Sequence, residues 1–126
     1  MKIAISSSGN SIKSPSSPIF GRCNSFIFVD VDGDTYSNVE SLENPAINES
    51  GAGIKAAQFI AENGAEILVT GSPGPNAFDI LKKLGIKVYK IMDGTVEDNL
   101  RFLLEKRLEE QDIPRSSPRG RGLGRR

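Results

Sequence analysis

The fold turns on one stretch, Glu66-Ile67-Leu68-Val69-Thr70-Gly71-Ser72-Pro73-Gly74-Pro75-Asn76, and on what stands either side of it. Residues 66–70 are a continuous apolar run of strand length, the pattern of a strand buried on both faces. Residues 71–76 make a tight Gly/Pro/Ser/Asn loop. Beyond it Ala77, Ile80, Leu81 and Leu84 recur at i, i+3, i+4 and i+7, one face of a helix that Gly85 ends. Residues 86–91 are a further short strand. Its Lys87 and Lys90 suit a sheet edge, where charge discourages strand addition.

Working outward, residues 51–63 carry Ile54, Ala57, Ile60 and Ala61 on one helical face, with Gly64 at the capping position. Thr95-Val96-Glu97-Asp98 has the form of a capping box and opens a last helix through Val96, Leu100, Leu103, Leu104 and Leu108. Toward the N-terminus, Ile3 to Ile5 is a short central strand, and Phe26-Ile27-Phe28-Val29 with Val31 is a strand apolar on both faces. Asp32-Gly33 turns it into a polar edge strand over 35–42. A Ser/Gly/Asn/Pro loop over 6–22 separates the first two strands; loops of that length are usually functional or mobile. The order β-β-β-α-β-α-β-α predicts an α/β fold: a mixed five-stranded sheet ordered 3-2-1-4-5, strand 2 antiparallel, covered by three helices.

Composition bounds the function. The 126 residues suffice for one modest core, and apolar residues are 37% of the chain. Residues 1–110 hold 11 Lys/Arg against 15 Asp/Glu, a balance of −4, whereas 111–126 hold five Arg and one Asp, a balance of +4. A folded domain over 1–110 and a disordered Arg/Gly/Pro-rich tail over 111–126 are therefore expected. The acidic body is a poor general phosphate binder. The tail leaves room for weak, salt-sensitive nucleic-acid contact or an acidic partner, and reads more plainly as a solubilising segment.

There is one cysteine, Cys23, and no histidine. That excludes an internal disulfide, a single-chain Cys/His zinc site and the usual His-based nucleophile pairs. No apolar run has membrane-span length and the N-terminus lacks the form of a signal peptide, so a cytoplasmic protein is expected. Asp30-Val31-Asp32-Gly33-Asp34 misses the EF-hand spacing, because Gly33 falls fourth and Ser41 twelfth counting from Asp30. It reads as a solvated hairpin tip.

The predicted topology sends the 6–22 loop, Cys23, the 44–53 linker, the 71–76 loop and Asp93-Gly94-Thr95 to one sheet edge, where open α/β sheets bind ligands. Three helix N-termini, near Gly53, Asn76 and Thr95, would aim free N–H groups there, a setting for an anion. Gly51, Gly53, Gly71, Ser72, Gly74 and Asn76 are the candidate binding residues; the same glycines also serve simply as turns and caps. Arg22 is a candidate anion clamp and would favour the thiolate of Cys23. Cys23 itself is either the sole metal ligand or a buried thiol at a strand start.

Several segments in this order resemble the dinitrogenase iron–molybdenum cofactor biosynthesis family, of the NifX and NifB C-terminal-domain type. They are MKIAIS at the start, Phe20-Gly21-Arg22-Cys23, Asn44-Pro45, Gly51-Ala52-Gly53-Ile54-Lys55-Ala56-Ala57 and Gly74-Pro75-Asn76-Ala77-Phe78, extended by Gly85-Ile86-Lys87-Val88-Tyr89 and Thr95-Val96. The resemblance covers about residues 1–105. It implies a ribonuclease H-like fold and a non-catalytic carrier or binding role for iron–molybdenum cofactor or an iron–sulfur precursor. One departure stands out: members tied to nitrogen fixation often place His before the Phe-Gly-Arg motif, where this chain has Ile19. Two other functions compete. One is a protein or nucleic-acid interaction module using the basic tail. The other is a ribonuclease H-like nuclease, for which only Asp30, Asp32 and Asp34 offer clustered carboxylates.

Overall fold

The computed structural model describes residues 1–111, so the expected tail beyond Gln111 lies outside the described residues. The elements follow as β1 (Lys2–Ser7), β2 (Ser25–Asp32), β3 (Thr35–Glu43), α1 (Ala52–Glu62), β4 (Ile67–Thr70), α2 (Pro75–Lys83), β5 (Lys87–Lys90) and α3 (Val96–Leu104). The strands form one sheet ordered β3-β2-β1-β4-β5. β2 runs antiparallel to β1 and β3, while β1, β4 and β5 are parallel. Strand order, strand sense and helix count agree with the sequence-based expectation.

Alternation along the central strands explains the layers. Ile3 and Ile5 pair with Val29 and Ile27, and these four share a buried cluster with Val69 and with Val96 and Leu100 of α3. Ala4 pairs with Phe28, and both join Phe26, Leu68, Ile60 of α1 and Leu81 of α2 in the second cluster. A side-chain period of two thus feeds both faces, with α3 on one and α1 and α2 on the other. The rings of Phe26 and Phe28 are essentially solvent-free. Burying each contributes about 1.5–3 kcal/mol relative to leaving it exposed.

Two boundaries and one sheet edge differ from expectation. α3 stops at Leu104 instead of running through Leu108. Lys106 adopts φ 61°, its N–H donates to the Leu103 carbonyl, and the Arg107 N–H donates to the Phe102 carbonyl. This is a Schellman closure made without glycine. The chain then returns to the sheet: Lys90 N–H donates to Glu109 O and Gln111 N–H to Val88 O, both at 2.7 Å, with Tyr89 bridged to Glu110. β5 is consequently covered by residues 109–111 and is not the bare edge its lysines suggest. Gln111, assigned to the tail by composition, is buried.

The 6–22 loop is tied down. Bridges join Ser7 to Ser16 and Pro15 to Thr95, and Ser17 N–H donates to Ser6 O at 2.9 Å. No helix among the described residues is long and apolar enough to cross a membrane.

Candidate functional site

Every parallel strand ends on the same rim, and the loops leaving that rim build two adjoining clefts. One, of about 250 Å³, is lined by Gly51, Gly53, Ile54, Gly74 and Asn76 together with Pro73. The other, of about 410 Å³, is lined by Pro18, Ile19, Arg22, Gly53, Ser72 and Pro73 among others. Gly53 and Pro73 belong to both, so the clefts meet over the start of α1.

Backbone chemistry dominates this surface. The N-cap of α1 is Gly51, φ 69°, and that of α2 is Gly74, φ 88°; neither helix has a side-chain cap. Those φ values favour glycine. The first-turn amides of Ala52, Gly53 and Ile54, and of Asn76 and Ala77 after Pro75, meet no acceptor among the described residues. Such amides carry the partial positive charge of the helix start. The two starts lie close together: a Cβ on Gly53 would sit 3.2 Å from the Ala77 Cβ. A Cβ on Gly21 would lie 2.8 Å from the Gly53 nitrogen, so glycine there leaves that amide uncovered.

The third helix start is different. Val96 N–H donates to Ser14 O and Glu97 N–H to Ile12 O, both at 2.9 Å, and Asp98 N–H donates to Thr95 Oγ1 at 3.0 Å. Asp98 Oδ2 accepts from Thr95 N–H, completing the capping box. The Thr95 N–H and then Arg101 hold the Asp98 carboxyl below its usual value. The expectation that all three helix starts offer free N–H groups is therefore corrected: α3 is closed by the 6–22 loop and by its own cap.

Arg22 is exposed but engaged, its guanidinium donating to Ile47 O at 2.8 Å and Glu49 O at 3.4 Å. It braces the linker before α1 and rims the wider cleft. Buried Asn44 completes that brace: its Nδ2 donates to Gly21 O and Cys23 O, and its Oδ1 accepts from Ala46 N–H. Cys23 lies in the cluster of Phe20, Phe26 and Ala77, 3% exposed, with Sγ donating to Ser25 O at 3.4 Å. Burial pushes its pKa up to about 12. The expectation that Arg22 holds Cys23 as a thiolate is overturned, because burial outweighs the hydrogen bonds to the sulfur and the guanidinium is spent on the linker.

Gly71 lines neither cleft. A Cβ there would sit 1.9 Å from Pro18 O, so this glycine serves close packing of the 71–76 loop on the 6–22 loop, not approach to a ligand. Behind it Ser6 Oγ donates to Ser17 O at 2.6 Å and bonds Thr70 Oγ1 at 2.8 Å. Ile19 is 57% exposed at the wider cleft, so a histidine in its place would stand at the mouth. Among the described residues no three His, Cys, Asp or Glu side chains are grouped to hold a metal ion. Asp30, Asp32 and Asp34 lie at the β2–β3 hairpin, at the opposite end of the sheet.

Sequence reasoning missed Pro18 and Pro73 as lining residues and Asn44 as the hub under Arg22. Only the Asn44-Pro45 pair of the family resemblance pointed to the last.

Residues 1–106 match the family described as dinitrogenase iron-molybdenum cofactor. The chain is 35% identical over 111 residues to the uncharacterized protein MJ0580 of Methanocaldococcus jannaschii, covering 87% of this chain and 91% of that one. Its structure is similar to the apo form of the orange protein from Desulfovibrio gigas, with TM-score 0.83, 33% identity, and 91% and 96% of the two chains covered. It is also similar to TM1290 of Thermotoga, provisionally described as a NifB protein, with TM-score 0.75, 38% identity and 86% and 91% coverage.

Proposed function

The chain belongs to the dinitrogenase iron–molybdenum cofactor family, and on that premise we propose that it is a non-catalytic cytoplasmic carrier of an iron–molybdenum cofactor or an iron–sulfur precursor, on a ribonuclease H-like fold. The observation that carries this reading is the pair of uncapped helix starts, α1 and α2, facing adjoining clefts at Gly53 and Pro73. Metal–sulfur cargo is anionic and presents sulfur acceptors. Amides preorganised at helix starts hydrogen-bond such groups and offset their charge.

Cargo in this reading is held by hydrogen bonds and charge at the rim, with Arg22, Ser72 and Asn76 as the polar side chains around it. Cys23 stays in the core. Coordination by several thiolates has no donor set among the described residues, and non-covalent capture suits a carrier that must also release. The nuclease alternative requires carboxylates around paired metals, and the three hairpin aspartates sit far from the clefts.

Anaerobic incubation with ferrous iron, sulfide and molybdate, followed by desalting and metal analysis, tests the proposal. Wild type and Cys23→Ala are expected to retain metal alike. Ser72→Asp, which adds a negative charge at the wider cleft, is expected to lower retention about tenfold. Wild type that keeps no metal, or Ser72→Asp that keeps as much as wild type, would overturn it.

A further inference from the structure

The loop carrying Ser72, Pro73 and Gly74 has two anchors. On the β1 side, Ser6 bonds Thr70 and Gly71 packs on Pro18. On the β5 side, Ile91 N–H donates to Thr70 O at 2.8 Å. The next carbonyl, that of Gly71, accepts from Gln111 Nε2 at 2.6 Å, and Thr70 O takes a longer contact from the same nitrogen at 3.4 Å. Gln111 is the end of the strap that leaves α3 through Lys106 and pairs with β5. Its side chain is buried, and its main chain is fixed by Val88 O.

We infer that Gln111 is a positioning residue: the C-terminal strap reaches across β5 and, through the Gln111 amide, sets the Gly71 carbonyl and hence the path of 72–74 into the start of α2. The inference deepens the carrier reading and rests on it for the binding consequence. Geometry favours this role over simple edge cover. Edge cover is already complete through the main-chain bonds of Glu109 and Gln111, and none of those needs a glutamine side chain. The amide is directed instead at the Gly71 carbonyl, one residue before Ser72 and Pro73 of the wider cleft. The Gly71 carbonyl is half-buried and loses its side-chain donor when the amide goes, so the loop should re-route or open to water. Asn76 and Ala77, whose amides face the smaller cleft, would then lose their preorganised direction.

Two variants of the full chain test it, Gln111→Ala and Gln111→Met; the second keeps side-chain length while removing the donor. Hydrogen exchange read amide by amide is expected to show Phe78, whose N–H donates to Gly74 O, and Ile91, whose N–H donates to Thr70 O, exchanging about five- to tenfold faster in both, with β1, β2 and α3 unchanged. After incubation with ferrous iron, sulfide and molybdate, metal retention in both should fall about fivefold against wild type. Exchange at Phe78 and Ile91 that stays at the wild-type rate would overturn the inference, as would acceleration spread over the whole sheet, which marks a merely structural role. The exchange arm does not depend on cargo. Wild type that retains no metal would therefore sink the carrier reading, while Gln111's hold on the loop would stand or fall on exchange alone.

Discussion

α3 and the α1/α2 pair start on the same rim, yet one start is closed and the other two are open. At α3 two loop carbonyls accept from the helix start, Thr95 and Asp98 cap each other, and every first-turn amide is used. At α1 and α2 the caps are glycines with no side-chain acceptor, and proline removes one amide from the count. The sheet edge alone therefore does not make a binding site. What decides is whether the chain has already spent the hydrogen-bonding capacity that the helix start provides.

The comparison can be broken hardest at Gly71. A methyl there meets the Pro18 carbonyl, so Gly71→Ala should push the two loops apart and cost roughly 3 kcal/mol by urea denaturation. A near-neutral result would show the loop path to be soft. Next comes the closed start: Thr95→Ala should cost about 1 kcal/mol of stability. Metal retention should not change in that variant, and a loss would mean that α3 takes part in binding.

A third test concerns the sulfur beneath the open side. Burial pushes the Cys23 thiol up to about 12 in the fold against 9.0 ordinarily, so the folded state holds the extra proton between those values. Its stabilising effect is complete below the unfolded value and is lost as pH rises through the window. Denaturation at about pH 8 and about pH 10 should show wild type losing roughly 1 kcal/mol more than Cys23→Ala. Equal losses would mean an accessible thiolate. The smallest effect is expected from Gly51→Asn. Asparagine tolerates the left-handed conformation and can cap α1, so stability should shift by only a few tenths of a kcal/mol while metal retention drops.

Much of this was readable from residue patterns. Apolar runs and period-two alternation in Phe26-Ile27-Phe28-Val29 fixed the sheet faces, and the Thr95/Asp98 spacing announced the cap. The features that escaped share a cause: they depend on the path of loops, which leaves no periodicity. Lys106 closes α3 where no glycine marks the end. Gln111 pairs with β5, after Glu109 and Glu110, despite a composition that reads as tail from that residue on. Cys23, just before a strand, lies in a turn that Asn44 holds by donating to the Gly21 and Cys23 carbonyls, a contact with no local pattern. Arg22 faces the linker because carbonyls await it there.

The return of the chain over β5 also limits how molecules of this kind can be joined. With 109–111 paired to β5, β3, nearly all exposed, is the flank without a further strand beside it among the described residues. A sheet with a single available flank is monovalent as a building block. Two copies can add through it and close as a twofold pair, whereas an endless ribbon would need a second flank that the strap has withdrawn.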